Sequence, residues 1–327
     1  MEQTEGILAI GLDVGATKIA SALVARDGRV IASRHAPTGV SQGPEAVLDR
    51  IAAEANALLG QGDGRLQGIG IGSPGQVISD EGVVVNAVNM GWERVNLVEE
   101  IRLRLAADLP VWIQKDANAS ALGEYYYGAA RGCEDFIFLG VGSGLGGGVM
   151  VGGRLVTGVN WNAAEVGHLS LDPEEGLRCN CGQRGCAETV VSGPGLAAAT
   201  RALLEREPAA AQPATSLVPD ESLTPARILA AARAGDRLAL EGLAVVGRAL
   251  GRVAAAAVAL LNPGRIVLGG GLGVAAFDYL LPPLQAELRR RTLLSSLSTL
   301  RILPSQLASP AVGSACLVWY GSKLAQL

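Results

Sequence analysis

The run "ILAIGLDVGATKIASALVARDGRVIASRHAP", residues 7–37, does most to limit what this chain can fold into. Apolar and small residues alternate along it, with breaks at Gly15 and at Asp27-Gly28. A period of two belongs to strands, so the run predicts three antiparallel strands with a two-residue Asp-Gly hairpin between the second and third. The layout returns at "IFLGVGSGLGGGVMVGG": apolar strand, glycine-rich turn with a hydroxyl residue, apolar strand. Such turns present backbone N–H groups that no side chain obstructs, which suits a polyphosphate. Asp13 adds a carboxylate able to hold magnesium, and Thr17 and Ser143 add hydroxyl donors. Gly15, Lys18, Gly142, Gly144 and Gly146 complete the candidate phosphate- and magnesium-binding set, and the two turns are expected to face each other across a cleft. Read alone, each is equally an ordinary structural turn.

Further along, the spacing of Val47, Ile51, Ala55 and Leu58 predicts a helix over 43–60. Other helices are expected over 96–107, from Ser120 to Tyr127 just after Asp116, near 193–206, 225–234 and 236–261, and over 273–291 and 312–325. The stretches "LQGIGIGSPGQV", "VWIQ" and "RIVLGG" read as strands, and "REPAAAQPATSLVPDESLTP" as one long loop. A chain of 327 residues favours two domains. Its 27 basic and 31 acidic side chains give a formal net charge of −4, so a small molecule is expected as partner, not nucleic acid or a membrane surface. The start "MEQTEGILAIGLD" has neither the basic opening nor the apolar core of a secretory signal, so a cytoplasmic location is expected. Mean hydropathy is +0.31 with 4% aromatic residues, which implies a core of Ala, Val, Leu and Ile and few platforms for stacking a sugar.

Two familiar phosphate motifs fail on context. Gly142, Gly144 and Gly147 match GxGxxG, but a strand-like segment follows where the dinucleotide fingerprint needs a helix. "GLDVGATK" lacks the glycine before lysine that a Walker loop requires. Three of the five cysteines lie in "RCNCGQRGCAETV". An odd count in a reducing compartment disfavours a disulfide framework, leaving metal binding or isolated thiols; burial accounts for Cys133 and Cys316. Asp116 stands at the end of a strand and immediately before a helix, where the plain reading is an N-cap.

"DVGATK", "KDANASALGE", "GSGLGGG", "EVGH", "CNCGQRGCAE" and "IVLGGGLG" occur in that order. Together they resemble the ROK family of sugar kinases over about residues 7–325. The resemblance implies an α/β, two-domain actin-like ATPase fold of the hexokinase, RNase H-like type with an interdomain cleft. It divides the chain into a smaller domain, 1–116 plus 304–327, and a larger one, 117–303. It implies ATP-dependent phosphorylation of a hexose, glucose first, by a homodimer. Asp116 then becomes the general base, and Glu165, His168 and Glu188, with Asn89 and Lys115, the sugar-binding residues. The turn at Pro74-Gly75 lines the same pocket, and Gly269, Gly270 and Gly271 lie under adenosine. His168 joins Cys179, Cys181 and Cys186 as the closed ligand set of a structural zinc, with one ring nitrogen left for a substrate hydroxyl.

The chain also departs from that pattern. Lys115 stands where the family usually has Asn, and Trp161 and Ala164 replace common glycines ahead of the ExGH motif. An ammonium donates but cannot accept, so sugar identity is less constrained than phosphoryl transfer. Kinases of N-acetylmannosamine, N-acetylglucosamine, fructose or a cyclitol are alternatives, as is a catalytically weak sugar- or nucleotide-binding protein. ROK repressors carry a DNA-binding segment ahead of the sugar site. Here the first phosphate turn follows within fifteen residues of Met1, which argues against that class.

Overall fold

The computed structural model describes residues 6–62, 64–206 and 215–324. Two compact units emerge: Met1–Glu134 with Gly148–Ala163 and Gln306–Leu327, and Asp135–Gly147 with Ala164–Ser305.

The first unit holds a five-stranded sheet in the order Val30–Pro37, Lys18–Ala25, Ile7–Val14, Arg65–Ser73, Val111–Lys115. The first three strands are antiparallel, as their alternation predicts, and the last three run parallel. The hairpin differs from the expected two-residue loop. The Ala25 N–H donates to the Arg29 carbonyl and the Gly28 N–H to that of Ala25, both at 2.9 Å, so Arg26, Asp27 and Gly28 form the loop. Gly28 adopts φ 92°, and the register shifts at Leu23/Val24, the usual partners of a three-residue connection.

Side chains alternate across this sheet with a clear division of labour. Leu8, Ile10, Leu12, Ile69 and Ile71 join Val47, Ile51, Ala55 and Leu58 of the helix Pro44–Leu58 in one buried cluster. Gly11 and Gly70 fall on the other parity. A Cβ at Gly11 would overlap the carbonyl oxygen of Ala311, and one at Gly70 that of Ser314, so the helix Pro310–Leu324 lies with its backbone directly on the strands. The helix after Asp116 spans Asp116–Tyr126 and so begins earlier than Ser120. A small antiparallel sheet of Gln76–Ile78, Val83–Ala87 and Trp92–Val95 had no counterpart in the sequence reading. Its strands are too short to show a period.

A second five-stranded sheet runs Arg154–Leu155, Leu145–Val151, Phe136–Val141, Arg265–Gly269, Arg301–Pro304. Numbered by appearance, both large sheets follow the order 3-2-1-4-5, so the echo between the two glycine turns reflects repeated topology. A strand, not a helix, follows Gly144, and another follows Thr17, as the exclusion of the dinucleotide and Walker motifs requires.

The second unit's helices include Gly193–Arg206, Pro225–Arg233 and Arg237–Leu261. The last is long and apolar enough to cross a membrane, but 61% of its apolar window is buried inside the protein. Asp236 caps it by accepting from the Ala239 N–H at 3.0 Å, and Asn262 at φ 42° ends it before Pro263. The helix expected over 273–291 is interrupted at Ala276, giving Gly270–Ala275 and Phe277–Arg291. Of the expected long loop, residues 207–214 lie outside those described, and 215–224 contain no helix or strand.

Candidate active site

Parallel strands deliver their C-terminal ends to one edge of a sheet, the usual location of ligands in such folds. In the first unit, Gly72 pairs with both Asp13 and Gln114, and Ser73 with Lys115. Asp13, Lys115 and Asp116 therefore gather at that edge. Burial, then the charge of Asp116, push the Asp13 carboxyl up to about 7, with Lys18 opposing. Two carboxylates in so confined a place suit a divalent cation better than they suit each other. Thr17 and Lys18 are exposed in the turn, which the Gly15 N–H closes on the Lys18 carbonyl at 2.9 Å. The Thr38 hydroxyl also donates to the Gly15 carbonyl at 2.5 Å.

Asp116 is the first residue of its helix and does not cap it; the cap position is Lys115, with no side-chain capping bond. The Asp116 carboxylate accepts from the Ala117 N–H at 2.6 Å. Behind it, the Gln114 side-chain oxygen accepts from the Lys115 N–H at 2.9 Å and from the Asn118 amide at 3.2 Å, holding the strand-to-helix junction from a buried side. Gln114 carries no motif signal, so its role was invisible in the sequence. Lys115 itself is only 6% exposed, and its ammonium donates to the Ala163 carbonyl at 3.3 Å. Asn89 sits exposed in the short turn Val88–Met90. Gly75 at φ 87° lies against Ala87, beside that turn.

The second unit holds the remaining candidates. Gly142, Ser143 and Gly144 form a tight turn whose Gly142 N–H donates to the Gly144 carbonyl at 2.9 Å. The Gly142 carbonyl in turn accepts from Gly193 N–H at 2.7 Å, at the start of the helix Gly193–Arg206. A Cβ on Gly144 would lie 2.9 Å from Glu188 Oε2, so this turn runs close over the carboxylate. Gly146 lies in the strand that follows. Gly269 ends a strand and Gly270 and Gly271 open a short helix, with Gly270 at φ 75° and Gly271 facing open space.

Glu165 leads into a 3-10 turn, Val166–His168, tied by the His168 N–H to the Glu165 carbonyl at 3.1 Å. His168, Cys179, Cys181 and Cys186 bring one ligand atom each to within 4.8 Å of one another. His168 Nδ1 lies 3.9 Å from Cys179 Sγ, and Cys181 Sγ lies 3.6 Å from Cys186 Sγ. Three sulfurs and one imidazole at these separations fit a four-coordinate metal with no open position. Burial pushes the Cys179 thiol up to about 12 and raises Cys186, whereas the Gln183 N–H lowers Cys181. The thiol of Cys179 donates to Glu188 Oε1 at 3.1 Å, so the cluster and Glu188 are one assembly. Nδ1 is the ring nitrogen turned to the thiols, leaving Nε2 on the other side.

The family model described as "ROK family" matches residues 9–319. A glucokinase of Halalkalibacterium halodurans is 36% identical over 280 residues, 84% of this chain and 83% of the relative. The crystal structure of a ROK family glucokinase from Streptomyces griseus in complex with glucose and AMPPNP superposes with a TM-score of 0.82 at 32% identity, over 96% of this chain and 100% of that one. The transcriptional regulator NagC of Escherichia coli is 31% identical over 97% of this chain but 76% of its own length. The fold is that of ROK hexokinases, the actin-like ATPase fold. With its whole body matched by the family model and by relatives of similar length, the chain belongs to the ROK family.

Proposed function

We propose that this protein transfers the γ-phosphoryl group of ATP to a hydroxyl of a hexose, glucose first, with Asp116 as general base. It is a sugar kinase, a reading that rests on the glucokinases it resembles and on one feature of its own: Asp13 and Asp116 close together at the ends of parallel strands. In this reading Asp116 takes the sugar hydroxyl proton as that oxygen bonds to the γ-phosphorus, the bond to the bridging oxygen breaks, and ADP leaves. Helix residue Ala117 keeps the carboxylate oriented through its N–H. Lys18 and the amides of Gly15 and Gly142–Gly144 face phosphate charge, Thr17 and Ser143 donate to it, and Gly269–Gly271 approach adenosine. Magnesium beside Asp13 supplies charge neutralisation. Glu165, Glu188 and Nε2 of His168 bind sugar hydroxyls, with Asn89 at the margin. Zinc on His168, Cys179, Cys181 and Cys186 fixes the loop carrying Glu188 and takes no part in bond making. A cytoplasmic homodimer belongs to the same proposal.

The test is a coupled ADP-release screen over glucose, mannose, fructose, N-acetylglucosamine, N-acetylmannosamine and cyclitols. Sugar-dependent release with at least one hexose is expected. Sugar binding by calorimetry without any release would instead make the chain a sugar-binding protein.

A further inference from the structure

We infer that Lys115 acts as a positioning residue: together with Gln76 it pins a strained segment, residues 160–164, that leads directly into Glu165, and this tether governs sugar affinity. The inference rests on the reading of Glu165 as a sugar ligand. Among the described residues, four non-glycine residues have positive φ: Asn86, Trp161, Ala164 and Asn262. Asparagine tolerates that region through local hydrogen bonding; Trp and Ala do not. At φ 59° and 62°, Trp161 and Ala164 each hold a conformation disfavoured roughly five- to thirtyfold for an L side chain. Strain of this kind persists only where the surroundings over-determine it.

Those surroundings are visible. The Gln76 amide donates to the Asn160 carbonyl at 2.7 Å, and the Lys115 ammonium to the Ala163 carbonyl at 3.3 Å. The two anchored carbonyls bracket Trp161. The Ala163 N–H closes the turn on the Thr157 carbonyl at 3.0 Å. A buried ammonium is costly unless hydrogen-bonded, so losing the bond to Ala163 carries a penalty. The three departures from the family pattern, scattered in the sequence, thus form one physical group: a donor at 115, and the two left-handed positions on either side of the carbonyl it grips. Lys115 next to Asp116 thus donates to backbone, and through that bond its influence on sugar reaches the segment it holds.

A double-mutant cycle tests this. Lys115→Met keeps the aliphatic stem and removes the donors; Ala164→Gly makes positive φ accessible without a side-chain clash. For the preferred sugar, Lys115→Met should raise KM and the calorimetric Kd about tenfold, with a smaller fall in kcat, in the range of a lost charged hydrogen bond. Ala164→Gly alone should change KM less than about twofold, because the tether already enforces the conformation. In the Ala164→Gly background the Lys115→Met penalty should shrink to about threefold or less. An equal penalty in both backgrounds overturns the proposal, as would a fall in kcat with KM unmoved. Should Lys115→Met not fold, Gln76→Ala removes the other anchor, and its increase in KM should likewise be relieved by Ala164→Gly; an unrelieved increase overturns the tether. If the wild type phosphorylates none of the sugars, the kinase reading fails by itself. Urea midpoints of the same four proteins then decide the tether, which additive shifts would refute.

Discussion

Replacing Asp13 by Asn should make the nucleotide- and magnesium-free protein more stable while destroying its kinase activity. The carboxyl has its pKa raised from 3.8 to about 7, first by burial and second by the charge of Asp116. Below pH 3.8 the group is neutral in both folded and unfolded chains and costs nothing. As pH rises through 3.8 the unfolded chain ionises and the folded one does not, so stability is lost progressively until the folded group ionises near 7; above that the loss is constant. A shift of this size has a ceiling of about 4 kcal/mol at about 1.36 kcal/mol per unit. Solvent still reaches the side chain, and screening reduces this to about 1–2 kcal/mol. Asn keeps the shape and carries no charge, so the variant should recover that amount. For a unit of this size the gain corresponds to roughly 2–8 °C in Tm. Calorimetric melts of both proteins at pH 4.5, 6 and 7.5, in buffer with zinc and without magnesium, give the answer. The difference should be small at pH 4.5 and largest at 7.5. A gain independent of pH, or none at 7.5, would mean that Asp13 is not confined with Asp116 as described.

Three further outcomes are expected. Asp116→Asn should lower turnover by about 10²–10⁴-fold while calorimetric sugar binding survives, and near-normal turnover would remove Asp116 from the chemistry. Cys181→Ser should reduce zinc per chain, measured by mass spectrometry of the purified protein, and lower Tm with it; wild type carrying well below one zinc per chain would refute the ligand set. Gly70→Ala pushes a methyl group into the Ser314 carbonyl, which no rotamer change relieves, and should cost about 1–3 kcal/mol by urea denaturation. Unchanged stability would show that the helix Pro310–Leu324 does not rest there.

Local patterning made much of this legible in the sequence. The period of two in residues 7–37 marks the three antiparallel strands, and Val47, Ile51, Ala55 and Leu58 mark the buried face of their helix. The Cys-rich run, read with His168, anticipates the cluster that the structure assembles. What stayed hidden depends on distant partners or on too few residues. The strands at 76–78, 83–87 and 92–95 span only two or three alternations, and the Asp27-Gly28 hairpin is decided by a register shift one residue into the strand. Lys115 stood out only as a departure from the family pattern, and nothing in the sequence indicated a carbonyl 48 positions away as a partner for it. Gly11 and Gly70 stand inside two strands with nothing nearby in the sequence to account for them. Their reason is a helix that begins at Pro310.

That helix carries a consequence for biosynthesis. The strands bearing Gly11 and Gly70 emerge from the ribosome early, with one face packed on the helix Pro44–Leu58 and the other still lacking the helix Pro310–Leu324. Their cover is translated only after the whole of residues 135–305, which contain a compact unit of their own. At ordinary elongation rates the wait is on the order of ten to thirty seconds, far longer than a single domain needs to collapse. During that interval the nascent chain displays an apolar sheet face with a missing helix, the kind of surface that chaperones at the ribosome hold. Slowing translation upstream of Pro310 should therefore increase aggregation of the nascent chain more than slowing it downstream.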